Sequence, residues 1–116
     1  MRSRLPLRAA TLLALSCLPF VTPVLAGGDP ERGRGVIEQW CRACHQREGD
    51  KRDPEMAPPY EKIVMRPGHT RAYFEAFMKE DHFPMTTFRL FDQEKADVVA
   101  YLMALQQAQL KKRGRK

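Results

Sequence analysis

Two cysteines and a histidine form the most chemically specific pattern in the sequence, Cys41-Arg42-Ala43-Cys44-His45. The Cys-x-x-Cys-His spacing is the attachment pattern of c-type haem. Two thiols separated by two residues can add to the two vinyl groups of one porphyrin, and the histidine that follows them is then placed under the iron as its proximal ligand. The pattern therefore predicts one covalently bound haem c, attached through Cys41 and Cys44, with its iron ligated by His45.

Three other kinds of chemistry use a Cys-x-x-Cys pair. A zinc site needs two further cysteine or histidine ligands, and the chain after residue 26 offers only His69 and His82 outside the motif. A thioredoxin-type redox pair opens a helix within an alternating pattern of strands and helices, which we do not find. A plain disulfide suits an oxidising compartment but gives no reason for His45. Haem attachment is favoured over all three.

The presence of a second axial ligand would distinguish an electron carrier from a haem protein that binds small molecules. Met85 follows Pro84 in a segment between two predicted helices, where its side chain can reach the iron while both helices remain free to pack. A thioether is a soft, neutral ligand that favours reduced iron, and a filled coordination shell excludes external ligands. We predict Met85 as the distal ligand. His82 competes with it and would lower the potential, and His69, beside Gly68, is a weaker third candidate.

Hydrophobic periodicity predicts a helix on the amino-terminal side of the motif. Asp29 is a suitable cap and Pro30 a suitable first helical residue, and the helix is expected to run directly into Cys41. Its apolar face is expected to consist of Val36, Ile37 and Trp40.

Two more helices are predicted on the carboxyl-terminal side. One is capped by Thr70 and ends before Pro84; its apolar residues are Tyr73, Phe74, Phe77 and Met78. The other starts with Asp92 as cap and reaches about Gln107; its apolar stripe is Val98, Val99, Leu102 and Leu105, with Tyr101 beside it. A single helical turn is expected at residues 60–64. No convincing alternating run predicts strands, so the sequence favours an all-α domain.

Residues 1–26 have the composition of a secretory signal peptide. A basic start with three arginines is followed by an apolar run over residues 12–25, and the segment contains no acidic residue. An uncleaved anchor is the alternative, but Pro19 and Pro23 interrupt a run that is short of the ~20 residues needed to span a bilayer. Cys17 lies in a poor context for lipid attachment. We expect export to the periplasm and a mature chain that starts near Gly27.

The basic charge is concentrated at the carboxyl terminus. The formal net charge is +6, and removal of the signal segment takes away three of 20 basic and none of 14 acidic residues, leaving +3. Five positive charges lie in the last six residues. We therefore divide the chain into a signal peptide (1–26), one domain (27–107) and a basic tail (108–116). The tail could contact an acidic partner or anionic lipid weakly, and nucleic-acid binding is disfavoured because no basic face is interleaved with aromatic residues.

Three separated segments make residues 29–107 resemble a small class I (monohaem) cytochrome c of the bacterial periplasmic type. These are Gly-Arg-Gly-Val-Ile-Glu-Gln-Trp before the haem motif, Ala-Pro-Pro-Tyr at 57–60, and Pro-Met-Thr-Thr-Phe-Arg-Leu at 84–90 with the helix after it. The resemblance implies that Gly33 allows close crossing by the last helix and that the carbonyl of Pro58 accepts the ring N–H of His45. Thr86 departs from the family, in which proline often follows the methionine.

The resemblance also implies the class I fold, with helices packed around one covalently bound haem. The apolar wall of the porphyrin would come from Trp40, Phe74, Phe77, Phe88 and Tyr101. The implied function is electron transfer without a small-molecule substrate, so the protein would be a carrier and not an enzyme. A periplasmic dehydrogenase would be the donor, and an oxidase or reductase the acceptor. The alternatives are a cytochrome subunit of a dehydrogenase complex and a ligand-binding haem protein with an open distal site.

Overall fold

The structure, a computed structural model, describes residues 27–80 and 89–116. Within these two ranges the α-helices are α1 (Pro30–Val36), α2 (Tyr60–Ile63), α3 (Arg71–Phe77) and α4 (Asp92–Arg113), and a π-helical turn, Ile37–Cys41, continues α1. The same ranges contain no strand, only an isolated bridge between His45 and Ala57. The predicted all-α class is confirmed. The predicted signal peptide, Met85 and His82 lie outside the described residues.

The first and last helices cross in direct backbone contact. The Asp29 carboxylate accepts hydrogen bonds from the backbone N–H groups of Glu31 and Arg32 at 2.8 and 3.1 Å, so α1 begins as predicted. One turn later, a Cβ placed on Gly33 would overlap the backbone carbonyl of Asp97 in α4. Only glycine allows this approach, and the close crossing expected at Gly33 is present.

A buried carboxylate fixes the register of this crossing. Asp97 is 3% exposed. It accepts hydrogen bonds from the backbone N–H of Asp29 at 2.6 Å, from Arg32 Nε at 2.8 Å and from Gln93 Nε2 at 2.9 Å. The hydrogen bond from Arg32, which outweighs the opposing effect of burial, lowers the pKa of Asp97 to about 2. The carboxylate therefore stays charged and holds both helices.

The core lies between α4 and the three shorter helices. Its buried members are Ile37, Tyr60, Val64, Phe74, Met78, Val98, Val99 and Leu102. Trp40 is not among them: its side chain is 56% exposed, so its expected place on the buried face of the first helix is wrong. Within the π-helical turn Ile37 is buried and Trp40 is exposed, because the wider turn changes the face on which a residue three positions later lies.

The start of α3 confirms one predicted boundary, and the two ends of α4 correct two others. Thr70 caps α3 through a 3.3 Å hydrogen bond from the backbone N–H of Tyr73 to its hydroxyl oxygen. The predicted Asp92 cap of α4 is wrong by one residue, because Glu94 accepts a hydrogen bond from the backbone N–H of Phe91 and moves the cap there.

The far end of α4 also differs from the prediction. The expected end near Gln107 is wrong, since the helix continues to Arg113 and includes the first three residues of the basic run. Positive side chains in the last turn interact favourably with the negative end of the helix dipole, which supports this extension. Among the described residues, no helix combines the length and apolar character needed to cross a membrane.

Candidate functional site

The turn after α1 gathers the residues of the Cys-x-x-Cys-His motif around one backbone carbonyl. The N–H groups of Cys44 and His45 both donate to the carbonyl oxygen of Cys41, at 3.1 and 3.0 Å. Cys41 is half-buried and Cys44 is exposed, and both are free thiols. The motif is therefore a tight turn that carries two cysteines directly before His45.

His45 is oriented by the segment that precedes α2. Its Nδ1 lies 2.9 Å from the carbonyl oxygen of Pro58. Because a carbonyl can only accept, Nδ1 carries the proton and Nε2 keeps its lone pair in the neutral ring. Metal-bound histidines typically donate their other ring N–H to a carbonyl or carboxylate in this way, and the acceptor is the Pro58 carbonyl that the resemblance implied.

Backbone hydrogen bonds hold the two segments in this arrangement. The N–H of Ala57 donates to the Cys44 carbonyl at 2.8 Å, and the N–H of Gln46 donates to the Ala57 carbonyl at 3.1 Å. These two bonds flank His45 in one segment and precede Pro58 in the other. The direction of the imidazole is thus set by the main chain and does not depend on a flexible side chain.

Burial makes the neutral form of the site residues more favourable. It lowers the pKa of His45 more than the Pro58 carbonyl raises it, and the positive charge of Arg42 lowers it further. Burial also raises the pKa of the Cys41 thiol, against the smaller effects of a hydrogen bond with Tyr60 and of Arg42. The neutral imidazole is the form that binds a metal ion.

Sequence reasoning missed two side chains that surround His45. The Tyr60 ring stacks on the imidazole, with 4.4 Å between ring centroids and 23° between planes. The guanidinium carbon of Arg42 lies 5.5 Å from the centroid of the same Tyr60 ring. The motif assigns no role to Arg42, and the sequence pattern predicts only the start of a helical turn at Tyr60. The available signal was an aromatic residue directly after the Pro58-Pro59 pair.

The structure brings together four of the five predicted site residues. Cys41, Cys44, His45 and Pro58 lie within one turn and its partner segment, whereas the position of Met85 is not described. The ring of His69 is engaged elsewhere, stacked on Tyr73 at 4.2 Å between centroids. In the ranges 27–80 and 89–116, no three His, Cys, Asp or Glu side chains cluster closely enough to hold a metal ion.

These residues fit a covalently attached haem. The two thiols are unpaired, and the imidazole presents a fixed nitrogen lone pair beside them. Of the described aromatic residues in the expected porphyrin wall, Phe74 is buried, Phe77 and Tyr101 are half-buried, and Trp40 is exposed.

Comparison with known proteins finds one relative of similar size. The chain is 31% identical over 88 residues to a protein from Synechocystis sp. named "Cytochrome c-553-like", and the alignment covers 75% of this chain and 80% of that protein. No family model matches the chain. No solved structure matches it either.

Proposed function

The chain belongs to the small class I (monohaem) cytochrome c family, and from that premise we propose that it carries single electrons on one haem c attached through Cys41 and Cys44. A small haem electron carrier is what the family implies. His45 and Met85 are the proposed axial ligands, and the site of action is the periplasm. The haem iron, when bound, supplies the exchange of one electron between its ferric and ferrous states.

The observation that carries the proposal is the hydrogen bond from His45 Nδ1 to the Pro58 carbonyl inside the Cys-x-x-Cys-His turn. It fixes the ring, its tautomer and the direction of Nε2. A ligand held in this way keeps its place when the charge of the metal changes, and this is the condition for rapid electron exchange with little rearrangement. The chain's own part is to hold the ligand, keep it neutral and limit the access of water.

Covalent attachment is tested by removing one thiol at a time. The wild-type protein, denatured in alkaline pyridine, should give the absorption spectrum of a haem with both vinyl groups saturated. Cys41→Ala and Cys44→Ala should each retain one thioether bond and shift that band to longer wavelength, because one vinyl group stays conjugated. Release of the haem into acidified organic solvent from the wild-type protein would contradict the proposal.

The distal ligand is tested by the near-infrared charge-transfer band of ferric haem bound to methionine. The band should be present in the oxidised wild-type protein, absent in Met85→Ala and retained in the control His82→Ala. If the wild-type protein lacks the band and the His82 variant changes the visible spectrum, ligation is bis-histidine and the carrier works at low potential. Rapid binding of carbon monoxide by the native protein would indicate an open distal site instead.

Export is proposed from residues 1–26, with a mature chain beginning near Gly27. Amino-terminal sequencing of the haem-containing protein from a periplasmic fraction tests this directly. The proposed partners are redox proteins: a periplasmic dehydrogenase as donor and an oxidase or reductase as acceptor. A protein that purifies only together with a dehydrogenase would be a cytochrome subunit of that complex and not a free carrier.

A further inference from the structure

Arg42, the residue after the first cysteine of the motif, is a charged side chain that is almost completely withdrawn from water. Its side chain is 11% exposed. Nη1 donates to the carbonyl oxygen of Gln46 at 2.8 Å, and Nε donates to Glu38 Oε1 at 3.1 Å. Such a side chain is held in one position, and its charge is screened by solvent much less than that of a surface arginine.

Tyr60 brings this charge next to the proposed haem ligand. Arg42 lies over the Tyr60 ring, and His45 stacks on that ring. The guanidinium carbon lies 5.5 Å from the Tyr60 ring centroid, which lies 4.4 Å from the imidazole centroid. Arg42 is therefore within roughly 10 Å of the imidazole, a range in which a poorly solvated charge still acts strongly. Tyr60 is itself 7% exposed, so little water reaches the ring that both Arg42 and His45 contact.

Glu38, the carboxylate that pairs with Arg42, also pairs with Arg47 and lies nearer to solvent. Glu38 also accepts a 2.9 Å hydrogen bond from Arg47 Nη1, and the side chains of Glu38 and Arg47 are 34% and 56% exposed. The hydrogen bond from Arg47 contributes most to lowering the pKa of Glu38, which is about 2. Glu38, Arg42 and Arg47 together carry one net positive charge, and the carboxylates of Asp50 and Glu61 also act on Arg47. Arg42 is the most buried of these three side chains.

We propose that the stack of Arg42 on Tyr60 and of Tyr60 on His45 sets the balance between the ferric and ferrous forms, with Arg42 as a positioning residue that favours the ferrous form. The inference rests on the proposed function, in which His45 ligates the iron. Ferric haem carries one more positive charge than ferrous haem, so a fixed, desolvated cation nearby disfavours oxidation. Arg42 would act through Tyr60 and His45.

The test is the reduction potential of the haem-containing protein and its variants, measured by spectroscopic redox titration. Arg42→Gln should shift the ferrous-to-ferric ratio at a fixed ambient potential about three- to tenfold towards ferric, which corresponds to a potential lower by about 30 to 60 mV. Arg42→Lys keeps the charge, so its ferrous-to-ferric ratio should lie close to that of the wild-type protein. Arg47→Gln is the control because its charge is exposed, and the ratio should change less than about twofold.

Glu38→Gln gives a prediction of opposite sign. Removing the carboxylate leaves Arg42 uncompensated, so the ratio should shift towards ferrous. A general loosening of the turn would move both variants in the same direction, and it could not produce opposite shifts. This variant also keeps the inference testable if Arg42→Gln does not acquire haem.

The outcomes separate this inference from the function on which it rests. A wild-type protein that attaches no haem overturns the proposed function. A wild-type protein that attaches haem, together with an Arg42→Gln ratio within twofold of it, overturns the inference alone. Equal shifts in one direction for Arg42→Gln and Glu38→Gln would also overturn it. Opposite shifts, with unchanged haem content and far-ultraviolet circular dichroism, support it.

Discussion

Gly33 of α1 lies against the main-chain carbonyl of Asp97 in α4, at a distance that leaves no room for a Cβ atom. The neighbouring Gly35 is in the same helix and has no atom within 4 Å of its would-be Cβ. The two glycines therefore have different reasons for being there. Gly33 is required by packing, and the structure gives no packing reason for Gly35.

The Gly33→Ala variant should be less stable than the wild-type protein. A methyl group must push the helices apart, which costs about 1 to 3 kcal/mol in a packed interface, and this exceeds the ~1 kcal/mol that alanine gains in helix propensity. Gly35→Ala should instead gain about 0.5 to 1 kcal/mol. Urea denaturation of the haem-containing proteins measures both. A stable Gly33→Ala variant would show that the crossing is wider than described.

Asp97→Asn tests the buried carboxylate through its pH dependence. Removal of the charge that pairs with Arg32 should lower the free energy of unfolding by about 2 to 3 kcal/mol at neutral pH. The pKa of Asp97 is about 2 in the folded protein, below the 3.8 of an unperturbed aspartate. The stabilisation is therefore complete above the unfolded pKa and is lost as the pH falls through the folded value.

The unfolding free energies of the wild type and Asp97→Asn, measured between pH 7 and pH 2, should therefore become similar at the acidic end. The control is Glu31→Gln, since that carboxylate is 77% exposed in its pair with Arg34 and its loss should cost less than about 0.5 kcal/mol. A difference between wild type and Asp97→Asn that does not change with pH would mean that the ion pair is not the source of the stability.

Local sequence signals predicted the parts of the fold that depend on neighbouring residues. Each of these predictions depends only on spacing within a single helix, and the structure confirms them. They are the cap at Asp29, the cap at Thr70 and the stripe of Val98, Val99 and Leu102. The exposure of Trp40 could not be predicted in this way. The helical period assumed was that of an α-helix, and a π-helical turn changes which residue faces the core.

The limited reach of local sequence patterns also explains which residues of the candidate site could be predicted. Cys41, Cys44 and His45 were found because their chemistry depends on local spacing, and Pro58 was found by resemblance to a family. The stack of Tyr60 on His45 joins residues 15 positions apart through a loop, and no periodicity describes such a contact. Contacts of this kind, together with the long-range role of Asp97, become visible only in three dimensions.

The side chain of Gln106 makes a further long-range contact, and its contribution to stability can be measured. Its Nε2 donates to the backbone carbonyls of Val64, at 2.7 Å, and of His69, at 2.9 Å. Gln106→Leu would leave both carbonyls without this donor, at a cost of about 2 kcal/mol in unfolding free energy. Gln107→Leu is the matched control, because Gln107 is exposed on the same helix. Equal stabilities of the two variants in urea denaturation would contradict this role.

The basic end of α4 should bind anionic surfaces through charge alone. Its last helical turn carries Lys111, Lys112 and Arg113, all exposed, and α4 contains no acidic residue after Asp97. Each exposed cation contributes about 1 kcal/mol near an anionic membrane, so the haem-containing protein should sediment with vesicles containing anionic phospholipid at low salt. Binding should weaken steeply as the salt concentration rises, because the charges are screened.

The matched variant replaces Lys111, Lys112 and Arg113 by glutamine, which preserves helix propensity and removes three charges. It should lose most of the vesicle binding while the free energy of unfolding changes by less than about 1 kcal/mol, since these side chains contribute only through the helix dipole. Vesicles of neutral phospholipid should bind neither protein. If they bind both equally, the attraction is apolar, and Leu110, which is 48% exposed, would be the residue to change next.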